Sequence, residues 1–414
     1  MFTDIAIGWA IDRFNPKWGK YRSWPIISFI PSLLLYLLVF AAIPGAPNWW
    51  KMIVAWVGYG CYGAIGATLQ FIPMNCMMTN ITKNPEEQAS MTGIKGTVSN
   101  IGTLVVVSTF MPIVNFFGGA ERGFFAAAVI FGLFYLFCLI CVTKTAEKYE
   151  LSADGTYRPH LKEIAAASKT PLIKQLKYVI TNRPAVVSMI GIFIFYVLQQ
   201  LRSSAIVYMY ESYFQLPELS TISLFLNAGM AIVGALLIAP AIKLFKDSNR
   251  AYIITILLSG ASFLAFYFVC MGMGREAATE SMRYGPLFFL FVISGLFYGA
   301  YAMFIYAILP SCVDYGVWKN GVNQAGIIYA VLGFALTFGG AIGGQVMGIM
   351  LDGIGYVGGG ADLAESTRSG IVMIGMLVPG ILAVAHGVIQ CFYGMSDKKH
   401  AELVKEIEAR AEKA

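Results

Sequence analysis

The chain has 414 residues, 57% of them hydrophobic, 14% aromatic and only 13% charged, with a formal net charge of +6. These proportions lie far from those of soluble domains and exclude a water-soluble globular protein, leaving an all-α integral membrane protein. Its basic residues collect in short polar connections, so the positive charge reflects membrane topology and contact with anionic lipid, not nucleic-acid binding.

The opening stretch MFTDIAIGWAID, residues 1–12, is too short to cross a bilayer and lacks the basic leader of a signal peptide. It reads as one half of a helix, followed by the basic turn RFNPKWGKYR. Apolar runs long enough to span about 30 Å of hydrocarbon then recur near 25–44, 52–78, 92–117 and 123–143, and again near 185–210, 219–243, 251–272, 285–309, 326–351 and 370–394. The longest polar interruption, 144–184, separates a helix bundle at 1–143 from a six-helix bundle at 185–395, and 396–414 forms a tail. Within the interruption, LKEIAAASK and LIKQLKYVI predict short amphipathic helices. Counting Lys and Arg, the side that carries the basic turn, the linker and the tail holds roughly 22 of the 29 basic residues, which places these segments in the cytoplasm of a cell-membrane protein. A weak parallel repeat, GWAIDRFNPKWGKYR against APAIKLFKDSNR, is the pattern of a two-bundle transporter with its solute site between the halves.

Five stretches, DIAIGWAIDRFNPKWGKYRSW, QFIPMNCMMTNITKNPEEQASM, TNRPAVV, SCVDYGVWKNGV and SDKKHAELVKEIEAR, occur in order along the whole chain. In them the sequence resembles the glycoside–pentoside–hexuronide:cation symporters, the melibiose permease-like branch of the major facilitator superfamily. The resemblance implies twelve helices with both ends in the cytoplasm, hence a helix 1 and the front of a helix 2 lying before Met1, about ten full helices plus a stub within the chain, and poor coupling by the chain as it stands. It also implies uptake of a sugar or glycoside-like solute by Na⁺ or H⁺ symport through alternating access. A transporter-derived sensor or an uncoupled facilitator is the alternative, because several family charges are missing.

The resemblance assigns roles residue by residue. Asp4 matches the helix 2 carboxylate that helps to hold the coupling cation; a buried intramembrane Asp is expensive, which favours function over a structural role. Asp12 and Arg13 read either as a solvated helix end or as a latch closing the cytoplasmic side, and the family favours the latch. Asp314 matches a family aspartate of the same gate, whereas Ser311, Gln88 and Asn323 stand where charges are common. Phe71 replaces a solute-binding aspartate on helix 4 and Thr337 replaces a lysine on helix 11, which disfavours an α-galactoside substrate. Lys95 matches a cavity-facing arginine and offers a cationic anchor to an anionic or polyhydroxylated solute, although its long stem also allows snorkelling to headgroups. Arg202, beside Gln199 and Gln200, lines the cavity or snorkels outward. Gln70 and Asn227 serve either the cavity or helix–helix hydrogen bonds.

No other chemistry is expected. His160, His386 and His400 lack metal-ligand spacing, and Cys138 and Cys141 sit in an apolar helix as packing residues. Neither an enzyme's catalytic constellation nor a nucleotide-binding loop is present, and no cofactor is implied beyond the coupling cation.

Overall fold

The computed structural model describes residues 2–14, 16, 18–40, 47–81, 85–118, 120–150, 171–357 and 363–411. The first group of helices comprises α1 (Phe2–Arg13), α2 (Ser23–Val39), α3 (Trp49–Met78), α4 (Pro85–Phe116) and α5 (Ala120–Glu150). A short helix, α6 (Leu172–Ile180), precedes the second group: α7 (Arg183–Tyr213), α8 (Pro217–Leu236), α9 (Ile238–Phe245), α10 (Ser248–Met273), α11 (Arg275–Met282), α12 (Pro286–Ala307), α13 (Leu309–Asn320), α14 (Ala325–Gly353) and α15 (Glu365–Gln390). A final helix, α16 (Asp397–Ala411), ends the described chain.

Nine of the helices among the described residues are long and apolar enough to cross a membrane, and Ser23–Val39 is a shorter apolar one. Local chemistry sets where they begin. Asn182 accepts from the Ala185 N–H at 3.1 Å, with Pro184 in the first turn of α7, where its missing N–H costs nothing. Asp247 accepts from the Arg250 N–H at 2.9 Å to start α10. Gly321, at φ 65°, ends α13 in the left-handed region that glycine adopts without strain.

Among the described residues, three spans contain a π turn, at Tyr62–Gly66 in α3, Met209–Tyr213 in α7 and Met373–Leu377 in α15. Helix α5 runs on to Glu150, into the segment expected as the linker at 144–184, and α6 lies inside that segment. The helix expected at LIKQLKYVI is α6; the one expected at LKEIAAASK lies outside the described residues.

The two groups meet on the side of the molecule that carries α6 and α16, called here the linker side. Backbone contact is closest at Gly8, where an added Cβ would lie 2.6 Å from the Gly326 carbonyl oxygen, and at Gly93, where it would lie 2.6 Å from that of Ala235. Only glycine lets helices approach this closely across a membrane interface. The tail helix docks on α13: the Trp318 indole donates to Glu406 at 2.7 Å, and Arg410 donates to the Trp318 carbonyl at 2.9 Å.

Candidate functional site

Above this contact lies a cavity of ≈ 330 Å³, lined by Phe71 of α3, Lys95, Ser99 and Asn100 of α4, Tyr196 and Gln199 of α7, and Tyr298, Met303 and Tyr306 of α12. Both groups of helices thus contribute walls. Lys95 donates to Asn75 Oδ1 at 2.5 Å, while the Asn75 amide donates to the Phe71 carbonyl at 2.7 Å, so α3 fixes the ammonium from one side. On the other side the ammonium lies 5.5 Å from the Tyr306 ring centroid, and the Tyr306 and Tyr196 hydroxyls share a hydrogen bond of 2.8 Å. Lys95 therefore faces the cavity rather than the headgroups. No Asp or Glu is among the lining residues. An aromatic-walled hollow with one cation suits a polyhydroxylated solute, whose C–H faces stack on rings and whose acidic group meets the ammonium.

The floor is sealed on the linker side. Met303 packs onto Gly96 of α4, and both residues line the cavity. Further down, Asp12 is fully buried and accepts from the backbone N–H groups of Gly326 at 2.8 Å and Ile327 at 2.9 Å. These are unsatisfied donors of the first turn of α14, where the helix dipole favours an anion, so the carboxylate ties the two groups together electrostatically. Asn323 completes the junction: its amide donates to the Tyr21 hydroxyl at 3.1 Å across the groups, and its carbonyl accepts from the Ala325 N–H at 3.0 Å. A neutral residue at 323 therefore serves the junction where a charge was expected. Arg13 is exposed and lies over the Trp9 ring at 5.0 Å.

Asp4 is buried between α1 and α3 and accepts from the Thr68 hydroxyl at 2.6 Å. Thr68 follows the π turn Tyr62–Gly66, where the helix ladder is interrupted, and its hydroxyl also lies 3.5 Å from the Gly63 carbonyl oxygen. A carboxylate, a hydroxyl and a helix carbonyl are hard oxygen donors of the kind that bind alkali cations.

Three of the residues expected at the solute site, Gln70, Arg202 and Thr337, lie outside the cavity lining. Gln70 is buried within the first group, donating to Ser28 at 2.9 Å and to the Pro25 carbonyl at 3.3 Å while accepting from Tyr135 at 3.0 Å. Arg202 neither lines the cavity nor snorkels: it is buried inside the second group, donating to Asn227 at 3.2 Å and to Ser294 at 3.4 Å. Thr337 is exposed, and its hydroxyl turns back on the Gly333 carbonyl of its own helix at 3.0 Å, away from the lining residues. Asp314 is buried and bonds His400 of the tail helix at 2.9 Å, so any latch through it involves α16. In the first three cases a polar side chain in a span satisfied itself on a neighbouring helix or on its own backbone, which is cheaper than facing a cavity unpaired. Asn75, which holds Lys95, and the wall residues Tyr196, Tyr298 and Tyr306 carry no sequence signal beyond being polar or aromatic within spans.

Two helical groups closed against each other on one side, with a cavity between them above the seal, define a membrane transporter of the major facilitator type. Residues 1–397 match the family described as MFS/sugar transport protein, and the chain belongs to that family. It is a multi-pass membrane transporter and not an enzyme. Relatives include a Salmonella typhimurium protein provisionally named a 2,3-dihydroxypropane-1-sulfonate exporter, 28% identical over 99% of this chain and 85% of its own length. The isoprimeverose transporter of Lactiplantibacillus pentosus is 24% identical over 97% of this chain and 80% of its own. The fold is similar to that of the E. coli fucose:proton symporter, with a TM-score of 0.63 at 13% identity over 95% of this chain and 88% of that one.

Proposed function

We propose that the protein imports a sugar-like solute bearing an acidic group, coupled to a cation, by alternating access between the state described here and one opened on the linker side. The linker side faces the cytoplasm in this reading, by the distribution of basic residues, so the cavity belongs to the outward-facing state. Lys95 carries the choice of solute: an ammonium held by Asn75 and Tyr306 in a cavity with no lining carboxylate matches an anionic partner. Relatives named as a 2,3-dihydroxypropane-1-sulfonate exporter and as an isoprimeverose transporter support a sulfonated or sugar-like solute. Asp4 and Thr68 form the core of the cation site, and Asp12, through the α14 N-terminus, is the gate.

Uptake into cells producing the protein tests this. Labelled sulfonated and carboxylated sugars should accumulate, neutral pentoses should compete weakly, and Lys95→Gln should abolish the preference for anions. Accumulation of neutral sugars alone, unchanged by Lys95→Gln, overturns the assignment. Accumulation that persists after the sodium and proton gradients are collapsed overturns the coupling.

A further inference from the structure

Arg202 of α7 is 5% exposed, and no carboxylate pairs with it among the described residues. Its hydrogen-bond partners are neutral. Asn227 offers Oδ1 while its own amide donates to the Phe291 carbonyl at 2.8 Å, and the Ser294 hydroxyl likewise donates to that carbonyl at 2.6 Å, leaving only oxygen lone pairs towards the guanidinium. Nε has no hydrogen-bond partner. The remaining surroundings are aromatic faces: Tyr298 at 4.8 Å, Phe263 at 4.9 Å and Phe291 at 5.8 Å from the guanidinium carbon. A buried, uncompensated cation inside a membrane bundle is costly, and a glutamine would bridge Asn227 and Ser294 without the charge. Of the three rings over Arg202, Tyr298 also lines the cavity, so the charge reaches the cavity through it.

We propose that Arg202 is a specificity-determining residue acting from behind the cavity wall: through Tyr298 it adds a fixed positive potential that biases the cavity towards anionic solutes. This rests on the reading of the cavity as the solute path. Lys95 supplies the contact charge on the first group of helices, and Arg202 supplies the field from the second. In a low-dielectric wall such a field persists over a ring's thickness, because there is little water to screen it. Arg202 touches no solute; it is a positioning charge.

The test reads the potential itself and needs no knowledge of the natural solute. A cysteine is introduced at Ser99, which lines the cavity, with the exposed Cys141 and Cys391 replaced by serine. Its modification rates by an anionic sulfonatoethyl and by a cationic trimethylammonioethyl methanethiosulfonate are then compared. In the parent the anionic reagent is favoured; Arg202→Gln should lower the anionic-to-cationic rate ratio by about tenfold, and Arg202→Lys should preserve it. Asn227→Asp, which places a carboxylate beside the guanidinium and so compensates the charge without removing it, should lower the ratio as Arg202→Gln does. Equal changes in both rates, with the ratio unmoved in Arg202→Gln and Asn227→Asp, would show that Arg202 only packs the bundle. Because Lys95→Gln lowers the ratio independently, an unmoved ratio in the Arg202 and Asn227 variants leaves the solute assignment standing. A failure of the uptake assay, conversely, leaves the potential measurable.

Discussion

Asp12 Oδ1 lies 2.8 Å from the backbone nitrogen of Gly326, a residue 314 positions further along the chain. A single carboxylate thus joins the first described helix to the start of α14, and both of its oxygens are used, the second by Ile327 at 2.9 Å. Breaking this contact requires resolvating a buried anion and freeing two helix N–H groups, so it adds to the cost of separating the two groups on the linker side.

Asp12→Asn keeps the shape and removes the charge. A charge-assisted hydrogen bond is about twice as strong as a neutral one, and the favourable helix-dipole term of about 1 kcal/mol is lost as well. The population opened on the linker side should rise roughly tenfold. A cysteine at Ser99, probed from the linker side with an impermeant maleimide, reports the change; an unaltered labelling rate would remove Asp12 from the gate.

Asp4 and Thr68 are coupled by a hydrogen bond of 2.6 Å, and cation binding is expected to depend on both. Asp4→Asn should abolish cation stimulation of solute binding while solute binding alone survives, because coupling is a free energy shared between the two ligands. Thr68→Val should weaken the stimulation without abolishing it. Isothermal titration with and without sodium, at two pH values, separates the two effects, and undiminished stimulation in Asp4→Asn places the cation elsewhere.

Gly93→Val puts a branched side chain where an added Cβ already meets the Ala235 carbonyl at 2.6 Å. Backbone cannot yield as a side-chain tip does, so the groups should separate on the linker side and transport should fall at least tenfold. The matching distance measurement is between spin labels at the exposed Ser90 and Lys246, which should lengthen in Gly93→Val. Parent-like distances and transport would mean that the junction closes elsewhere.

Asp397, the first residue of the tail helix, accepts from the Ser248 N–H and hydroxyl, both at 2.8 Å. Burial, with a smaller contribution from the nearby Asp247, raises its pKa above the usual 3.8. A carboxyl raised in the folded state stabilises docking fully below its unfolded value, and that contribution is lost as pH rises through the folded value. Proteolysis of the tail should therefore accelerate as pH climbs from about 3.8 through the raised value, and Asp397→Asn should flatten the profile. A profile identical in the variant assigns the pH response to another group.

Much of the fold was legible because spans are written in composition: an apolar run of sufficient length has few other places to go. Asp12 stood out in the sequence only through the family resemblance, and it joins the first described helix to the start of α14. The solute site was not. Lys95, Gln70 and Arg202 are all polar residues within long helices, and sequence does not say which face meets a cavity and which meets another helix. Lys95 faces the cavity because Asn75 and Tyr306 receive it; Gln70 does not because Ser28 and Tyr135 do. Each deciding partner lies on another helix. The tail helix was missed although His400 and Leu403, both buried, stand three residues apart on one helical face.

The π turn at Tyr62–Gly66 makes α3 a helix of two phases. One additional residue in that turn rotates everything after it by about 100° relative to everything before it. Thr68, Phe71 and Asn75 follow the turn, so the assignment of one to Asp4, one to the cavity wall and one to Lys95 is held by a single surplus residue. Shortening the chain by one residue there, with no change to any side chain of the site, would turn all three away from their partners together. Length at that point is thus as much a determinant of what the protein recognises as the identity of the residues themselves.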